Sequence, residues 1–136
     1  MVVHREYSLS YNETHEQAEW VAYVLTADEV RMKCERTNDF REDGSVSTGS
    51  AGLADYRGSG YDRGHLSPAA DNKADCPVAM SESFYMSNMS PQKPGFNRGI
   101  WRKLESKVRD WAAKYGEIYV ATGPVFWDII EKIGAN

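Results

Sequence analysis

Hydrophobic periodicity is strongest in the last third of the chain. Between Phe96 and Tyr115 the apolar residues recur about every 3.6 positions, and Gly116 follows where a helix of this kind stops. We therefore expect a helix that ends at Tyr115. The next segment, "EIYVAT" (117–122), is short, apolar and rich in β-branched and aromatic residues, which predicts a buried strand ending at Gly123.

Weaker patterns predict the elements that precede this helix. Thr14 and Gln17 have capping-box spacing and are followed by apolar residues at helical positions, so a first helix is expected near 14–26. Residues 43–54 are rich in Gly and Ser and indicate a surface loop. The aromatic-rich segment 83–89 predicts a strand that enters a loop. The resulting order of helix, irregular strands, helix and strand indicates a mixed α+β fold.

Composition fits one globular domain covering residues 1–136. Hydrophobic residues make up 41% of the chain and charged residues 26%, and no apolar run approaches the roughly 20 residues of a membrane span. No membrane partner is therefore expected. The net charge is −4, yet residues 91–109 hold six basic residues and one acidic residue. Because local charge governs contact with a polyanion, this basic window indicates a nucleic-acid surface.

The two cysteines, Cys34 and Cys76, lack the paired short spacings of a zinc site. They could form one disulfide or remain buried thiols. A disulfide would place the protein in an oxidising compartment, so a secreted or periplasmic location is favoured over a cytosolic one.

The stretch "GSGYDRGHLSPAADN" (58–72) concentrates the candidate chemistry. His65 carries an imidazole that can act as a general base near neutral pH, and Arg63 offers a fixed guanidinium suited to a phosphate. Gly60 and Gly64 would let the backbone turn or approach a ligand closely. Taken alone, the same residues are equally compatible with an ordinary polar turn.

Two residues in and before the predicted helix are candidates for binding a cation. Asn97 lies at the N-terminal end of the predicted helix. There it is either an N-cap or an amide-oxygen ligand for a hard cation such as Mg²⁺. Glu105 lies eight residues further on, on a side of the helix close to that of Asn97. Its carboxylate could therefore hold a metal-bound water. Its spacing fits better with a solvated helix charge paired with Arg102 or Arg109.

Four sequence motifs, which follow one another along the chain, relate these residues to a known protein family. "ADYRGSGYDRGHL", "FYMSNMSPQ", "FNRGIWRKLE" and "YVATGPVF" resemble the DNA/RNA non-specific endonucleases of the ββα-metal (His-Me finger) class. The family signature of Asp-Arg-Gly-His, an aliphatic residue, three positions and Ala is matched in full from Asp62 to Ala70. The resemblance implies a ββα-metal nuclease fold, in which helices flank a central, mostly antiparallel sheet.

The resemblance also implies roles for individual residues. His65 would be the general base and Asn97 the direct protein ligand of Mg²⁺, with Mn²⁺ as an alternative metal. Glu105 would hold metal-bound water, and Asn88 would help to fix the imidazole or the water shell. Arg63 would be the arginine of the signature. Arg36, with Arg41 as a competing match, would stabilise the phosphate in the transition state. By its charge, the basic window would contact nucleic acid through Lys93, Arg98, Arg102 and Lys103.

The function that follows is Mg²⁺-dependent, sugar-non-specific hydrolysis of phosphodiester bonds in DNA and RNA. Two other hypotheses remain: a catalytically inactive nucleic-acid-binding module of the same fold, and a phosphatase or phosphodiesterase for small molecules. Members of this family continue beyond the point that corresponds to "EKIGAN". The apolar segment from Trp127 to Ile133 is therefore expected to lack a packing partner, and a second fragment, a swapped copy or a homodimer is expected to complete the scaffold.

Overall fold

A four-stranded antiparallel sheet forms one half of the molecule. The computed structural model describes residues 1–128 and 131–134. Within them the sheet has the order β1–β2–β3–β6, and every neighbouring pair is antiparallel. The strands are β1 (Val2–Val3), β2 (Ser8–Asn12), β3 (Gln17–Thr26) and β6 (Glu117–Thr122).

The first predicted helix, near 14–26, is wrong, because this segment forms a turn and then β3. The register against β2 pairs Trp20 with Ser10 and Ala18 with Tyr11, so Glu19 is an extra residue in β3. Such a bulge shifts the period-two alternation by one residue. Ala18 and Val21 consequently both face the core at a spacing of three, which imitates a helix in the sequence.

A two-stranded ribbon and a long helix form the second half. Strand β4 (Asp62–His65) pairs antiparallel with β5 (Met89–Gln92), and helical structure begins directly afterwards. It runs from α4 (Pro94–Phe96) through a π-helical stretch (Asn97–Trp101) into α5 (Arg102–Tyr115), where Gly116 caps it at φ 95°. The predicted helix and its stop are confirmed. The shorter helices are α1 (Ala27–Arg31), α2 (Leu53–Tyr56) and α3 (Val78–Glu82), and 3₁₀ turns cover Ala69–Asp71 and Met86–Asn88.

Two other predictions need correction. Segment 83–89 begins at Ser83, the C-cap of α3, and continues into a 3₁₀ turn (Met86–Asn88), and the strand begins only at Met89. Phe84, Met86 and Met89 are buried because they fill the core, and these apolar residues made the segment resemble a strand. Strand β6 is correctly placed but is not buried throughout: Ile118 and Val120 face the core, while Tyr119 is 76% exposed. The prediction of a surface loop at 43–54 is confirmed up to the start of α2 at Leu53.

The main core lies between the sheet and α5. Its fully buried members include Leu9, Val21 and Leu25 from the sheet and Ala112 from α5. Leu66 joins them immediately after β4, and this anchors the ribbon to the sheet. A separate cluster beneath the ribbon contains Phe84 and Met80, and Cys34 packs against it. Cys34 and Cys76 form a disulfide, which decides between the two states that the sequence allowed.

The C-terminal segment is only partly as predicted. Trp127 is 86% exposed, but Ile133 packs against a buried cluster that contains Tyr56 and Met86. The expectation that Ile133 lacks a partner is therefore wrong. Ile129 and Ile130, on which the same expectation rested, lie outside the described residues. None of the helices in the described part of the chain has the length and apolar character needed to cross a bilayer.

Candidate active site

His65 occupies the last position of β4, where it pairs with Met89 across the ribbon. Two aromatic rings enclose its imidazole. The Phe84 ring meets it edge-on at a centroid distance of 4.9 Å, and the Phe40 ring lies at 5.8 Å. Only 9% of the residue is exposed, so the ribbon holds an imidazole inside an apolar wall.

This environment keeps His65 neutral. Burial, followed by the positive charges of Arg36 and Arg63, lowers the pKa of the imidazole to about 3. The Nε2 atom is fully enclosed and has no hydrogen-bond partner within the described residues. Nδ1 is therefore the ring nitrogen that remains for an incoming water molecule. A neutral imidazole with one enclosed and one approachable nitrogen can accept a proton from a water molecule.

The two glycines of the motif serve different purposes. Gly60 has φ 83°, in the left-handed region, so it supplies the turn that starts the ribbon. Gly64 lies in β4, opposite Ser90. A Cβ atom there would lie 2.3 Å from the carboxamide of Gln92, so that side chain can cover the strand only because Gly64 has no side chain of its own.

Asn97 is the first residue of the π-helical stretch, and its backbone is already helical at φ −59° and ψ −45°. The helix begins three residues earlier, at Pro94, so the alternative that Asn97 is an N-cap is wrong. Its Nδ2 atom donates to Asp62 Oδ2 at 2.9 Å, which orients the amide and leaves Oδ1 for another partner. π-helical turns inside α-helices are frequent at functional sites.

The donor set near Asn97 suits a hard, hydrated cation. Among residues 1–128 and 131–134, no group of three or more His, Cys, Asp or Glu side chains is arranged around a common metal position. A site built there would rest on the Asn97 amide oxygen and water molecules. This arrangement fits Mg²⁺, which retains several waters and needs few protein ligands.

Asp62 links the ribbon to the helix. Besides Asn97, it accepts a two-pronged hydrogen bond from Arg98, with contacts of 2.9 Å from Nε and 2.8 Å from Nη2. The Arg98 guanidinium is the main cause of the lowered pKa of Asp62. Arg98 was predicted to contact nucleic acid, but in the structure its guanidinium is already bound to Asp62.

The arginines predicted to face a phosphate stack on different aromatic rings. Arg63 points to the same side of the strand as His65, and its guanidinium carbon lies 3.9 Å from the centre of the Phe40 ring. Arg36 lies 4.9 Å from the centre of the Phe84 ring, so it borders the wall around His65. Arg41 instead stacks on Tyr85 and bonds to Asp39, so the geometry favours Arg36 as the site arginine.

Asn88 is fully buried and acts on the site through the backbone. Its Oδ1 accepts from the Ser67 N–H at 2.8 Å, and its Nδ2 donates to the carbonyls of Ser67 and Ser83 at 2.9 Å each. Both amide donors are therefore used by backbone groups. The Asn88 side chain therefore fixes the backbone that follows His65.

Glu105 is half-buried and is not the solvated charge that its spacing favoured. Within the described residues it forms no ion pair, and Arg109 instead binds Asp71 at 3.1 Å. Burial is the largest cause of its raised pKa, about 7, and the nearby carboxyl of Asp71 adds to it, while Arg109 and Arg36 oppose it. Asp71 is itself buried and accepts a hydrogen bond from Tyr23 at 2.7 Å.

The remaining predicted contacts are exposed cations. Lys93, Arg102 and Lys103 are exposed, and none of them forms an ion pair with another described residue. Residues that the sequence did not single out are Phe40, Phe84 and Asp71. Asp71 lies inside the stretch 58–72 and Phe84 inside the motif "FYMSNMSPQ", whereas Phe40 belongs to no quoted motif.

Comparison with known proteins identifies a family for this chain. The family model described as DNA/RNA non-specific endonuclease matches residues 2–133. Nuclease C1 of Cunninghamella echinulata var. echinulata is 46% identical over 125 residues, which are 88% of this chain and 49% of that protein. Mitochondrial endonuclease G of Homo sapiens is 43% identical over 132 residues, which are 96% of this chain and 44% of that protein.

A solved structure gives the same result for the fold. A chain in the crystal structure of an EndoG/EndoGI complex superposes with a TM-score of 0.89 at 36% identity, covering 98% of this chain and 60% of that one. The predicted α+β nuclease fold is therefore confirmed. This chain spans about half the length of the curated relatives that it matches. The matched model, the relatives and the ribbon-and-helix geometry together show that the chain belongs to the DNA/RNA non-specific endonuclease family.

Proposed function

We propose that this chain carries the catalytic residues of a divalent-metal-dependent endonuclease that cleaves phosphodiester bonds in DNA and RNA. The proposal depends on one observation, the position of His65. Its neutral imidazole packs against aromatic rings on the two-stranded ribbon, which also carries Arg63, and the helix that contains Asn97 follows this ribbon in the chain. Membership of the endonuclease family supports the same activity.

His65 is the proposed general base. The approachable Nδ1 takes a proton from a water molecule as that water attacks phosphorus, and the leaving oxygen departs on the opposite side. The low pKa of the imidazole ensures that it is unprotonated at neutral pH. Phosphates of a bound strand would partly neutralise Arg36 and Arg63, which raises the pKa of His65 and makes it a stronger base.

Arg36 and Arg63 are the proposed electrostatic partners of the scissile phosphate. Both guanidinium groups lie against the aromatic rings that wall in His65. Fixed donors aimed at developing negative charge lower the barrier because they need no reorganisation during the reaction. Contacts directed to phosphate rather than to base edges explain why one site would accept both DNA and RNA.

Asn97 is the residue proposed to hold Mg²⁺ or Mn²⁺ through Oδ1, with Asp62 fixing the orientation of the amide. A bound divalent ion would neutralise charge on the phosphate and on the leaving oxygen. Glu105 is proposed to bind water near that ion, and its raised pKa indicates that it gains a proton readily when no metal is present. Lys93, Arg102 and Lys103 would contact the strand on either side of Asn97.

Digestion of supercoiled plasmid and of an RNA transcript tests the proposal. We expect both to be cleaved with Mg²⁺ and neither with EDTA. His65→Ala should lower the rate by about 10²–10⁴-fold. His15→Ala is the matched control, because His15 stacks on Phe126 and has no proposed part in the reaction, so this variant should leave the rate unchanged. Binding without cleavage would instead favour the inactive nucleic-acid-binding module.

A further inference from the structure

A groove beside the proposed site has no role in the account above. It lies between α2 and the start of β4, has a volume of about 410 Å³, and includes Arg63 and Asn97 in its lining. This volume falls within the usual range of ligand sites. Because Asn97 and Arg63 belong to the proposed site, the groove opens directly onto the place where the scissile phosphate would sit.

The groove is positively charged. Arg57, at the end of α2, and Arg63 both line it. Arg57 is exposed, and within residues 1–128 and 131–134 its guanidinium forms no ion pair. The acidic residue in the lining, Asp62, is already neutralised by Arg98. An unpaired guanidinium with its planar set of donors suits a phosphate.

The same groove also offers apolar and aromatic surface. Leu53 on α2 is 38% exposed and lines it together with the rings of Tyr61 and Phe40. Cationic and flat apolar surfaces side by side are the combination that binds single-stranded nucleic acid, in which phosphates meet arginine and unstacked bases meet rings. A base held in a duplex could not enter such a groove without leaving its stack.

We propose that this groove binds the nucleotide next to the scissile phosphate in an unpaired state, with its base against Leu53 and Tyr61 and its far phosphate on Arg57. The inference rests on the proposed function for the position of the scissile phosphate. It adds a preference for single-stranded or locally opened substrate, which the family membership and the site around His65 do not themselves supply.

Binding measured without turnover tests the groove. In EDTA, the probes are a fluorescein-labelled single-stranded DNA and an abasic phosphodiester strand of equal length. Arg57→Ala should weaken binding of both strands about tenfold and reduce the salt slope by about one. Leu53→Ala should weaken binding of the base-bearing strand several-fold and leave the abasic strand unaffected. Lys114→Ala is the charge-matched control, since Lys114 lies at the far end of α5.

The outcomes test binding in the groove independently of the proposed nuclease activity. Equal affinities for Arg57→Ala and Lys114→Ala would overturn the inference, and so would equal binding of the base-bearing and abasic strands by the wild type. Because EDTA prevents metal-dependent cleavage, these results do not depend on whether the plasmid is cut. A protein that shows the predicted binding pattern but never cleaves would contradict the proposed function and leave the groove assignment standing.

Discussion

At the scale of single residues, His65 should make the protein sensitive to acid. Burial and two nearby arginines lower the pKa of its imidazole to about 3, well below the ordinary value of 6.5. Between these values the unfolded chain binds the proton and the folded chain does not, so stability falls as the pH is lowered through this window. The loss amounts to about 1.4 kcal/mol for each pH unit below 6.5.

His65→Asn isolates this effect, because asparagine is polar and does not titrate. Between pH 7 and pH 5 the wild type should lose about 2 kcal/mol more free energy of unfolding than the variant. Urea unfolding at the two pH values measures the difference, and all other titrating groups are shared by both proteins. Parallel losses would mean that His65 is protonated in the folded protein as readily as in the unfolded chain.

At the scale of elements, the close fit of the ribbon depends on Gly64 and Gln92. A Cβ atom at Gly64 would approach the carboxamide of Gln92 to 2.3 Å, so in Gly64→Ala the flexible Gln92 side chain must move aside, and strain that this movement does not relieve shifts β4 and with it His65. We expect a moderate loss of cleavage rate for Gly64→Ala. Much of that rate should return in the double variant Gly64→Ala/Gln92→Ala, because the smaller side chain removes the obstacle.

A double-mutant cycle measures the coupling between these two positions. Residues in direct contact usually couple by about 0.5–3 kcal/mol, and a value in this range is expected for both stability and rate. Additive effects would show that Gly64 is required for another reason, such as backbone conformation alone.

The elements also show where sequence reasoning succeeds. The helix ending at Gly116 was predictable because its periodicity is long and its stop is a glycine with positive φ. Strand β3 was not, because the bulge at Glu19 places Ala18 and Val21 on one face at helical spacing. A local pattern cannot reveal a bulge, since the partner strand defines it.

At the scale of the whole molecule, the Cys34–Cys76 bridge should be a major source of stability. It joins the irregular segment that carries Arg36 to the segment before α3, across a sequence separation of 42 residues. The chain-entropy model assigns about 4 kcal/mol to closing a loop of this length. Thermal unfolding with and without a reducing agent should therefore differ strongly.

Cys34→Ser/Cys76→Ser provides the control for that measurement. Its melting temperature should match that of the reduced wild type and should not respond to the reducing agent. A wild type that unfolds at the same temperature in both conditions would show that packing against Phe84 and Met80, and not the covalent link, holds this region together.

The candidate site was predictable as a set of residues but not as an arrangement. The motif order identified His65 and Asn97, and the fold places them on the ribbon and on the helix that follows it. The aromatic wall of Phe40 and Phe84 comes from segments far apart in the chain, so only the folded molecule reveals it. The same holds for Asn88, whose bonds to backbone groups no spacing could indicate.

The separate roles of His65 and Asn97 are the central claim, and a Mg²⁺ titration of the cleavage rate tests them most directly. Asn97→Ala should raise the Mg²⁺ concentration at half-maximal rate on the order of tenfold or more, because a metal-binding group is lost. His65→Ala should lower the maximal rate by about 10²–10⁴-fold and leave that concentration unchanged. An unaltered metal requirement in Asn97→Ala, or a fully active His65→Ala, would contradict the account.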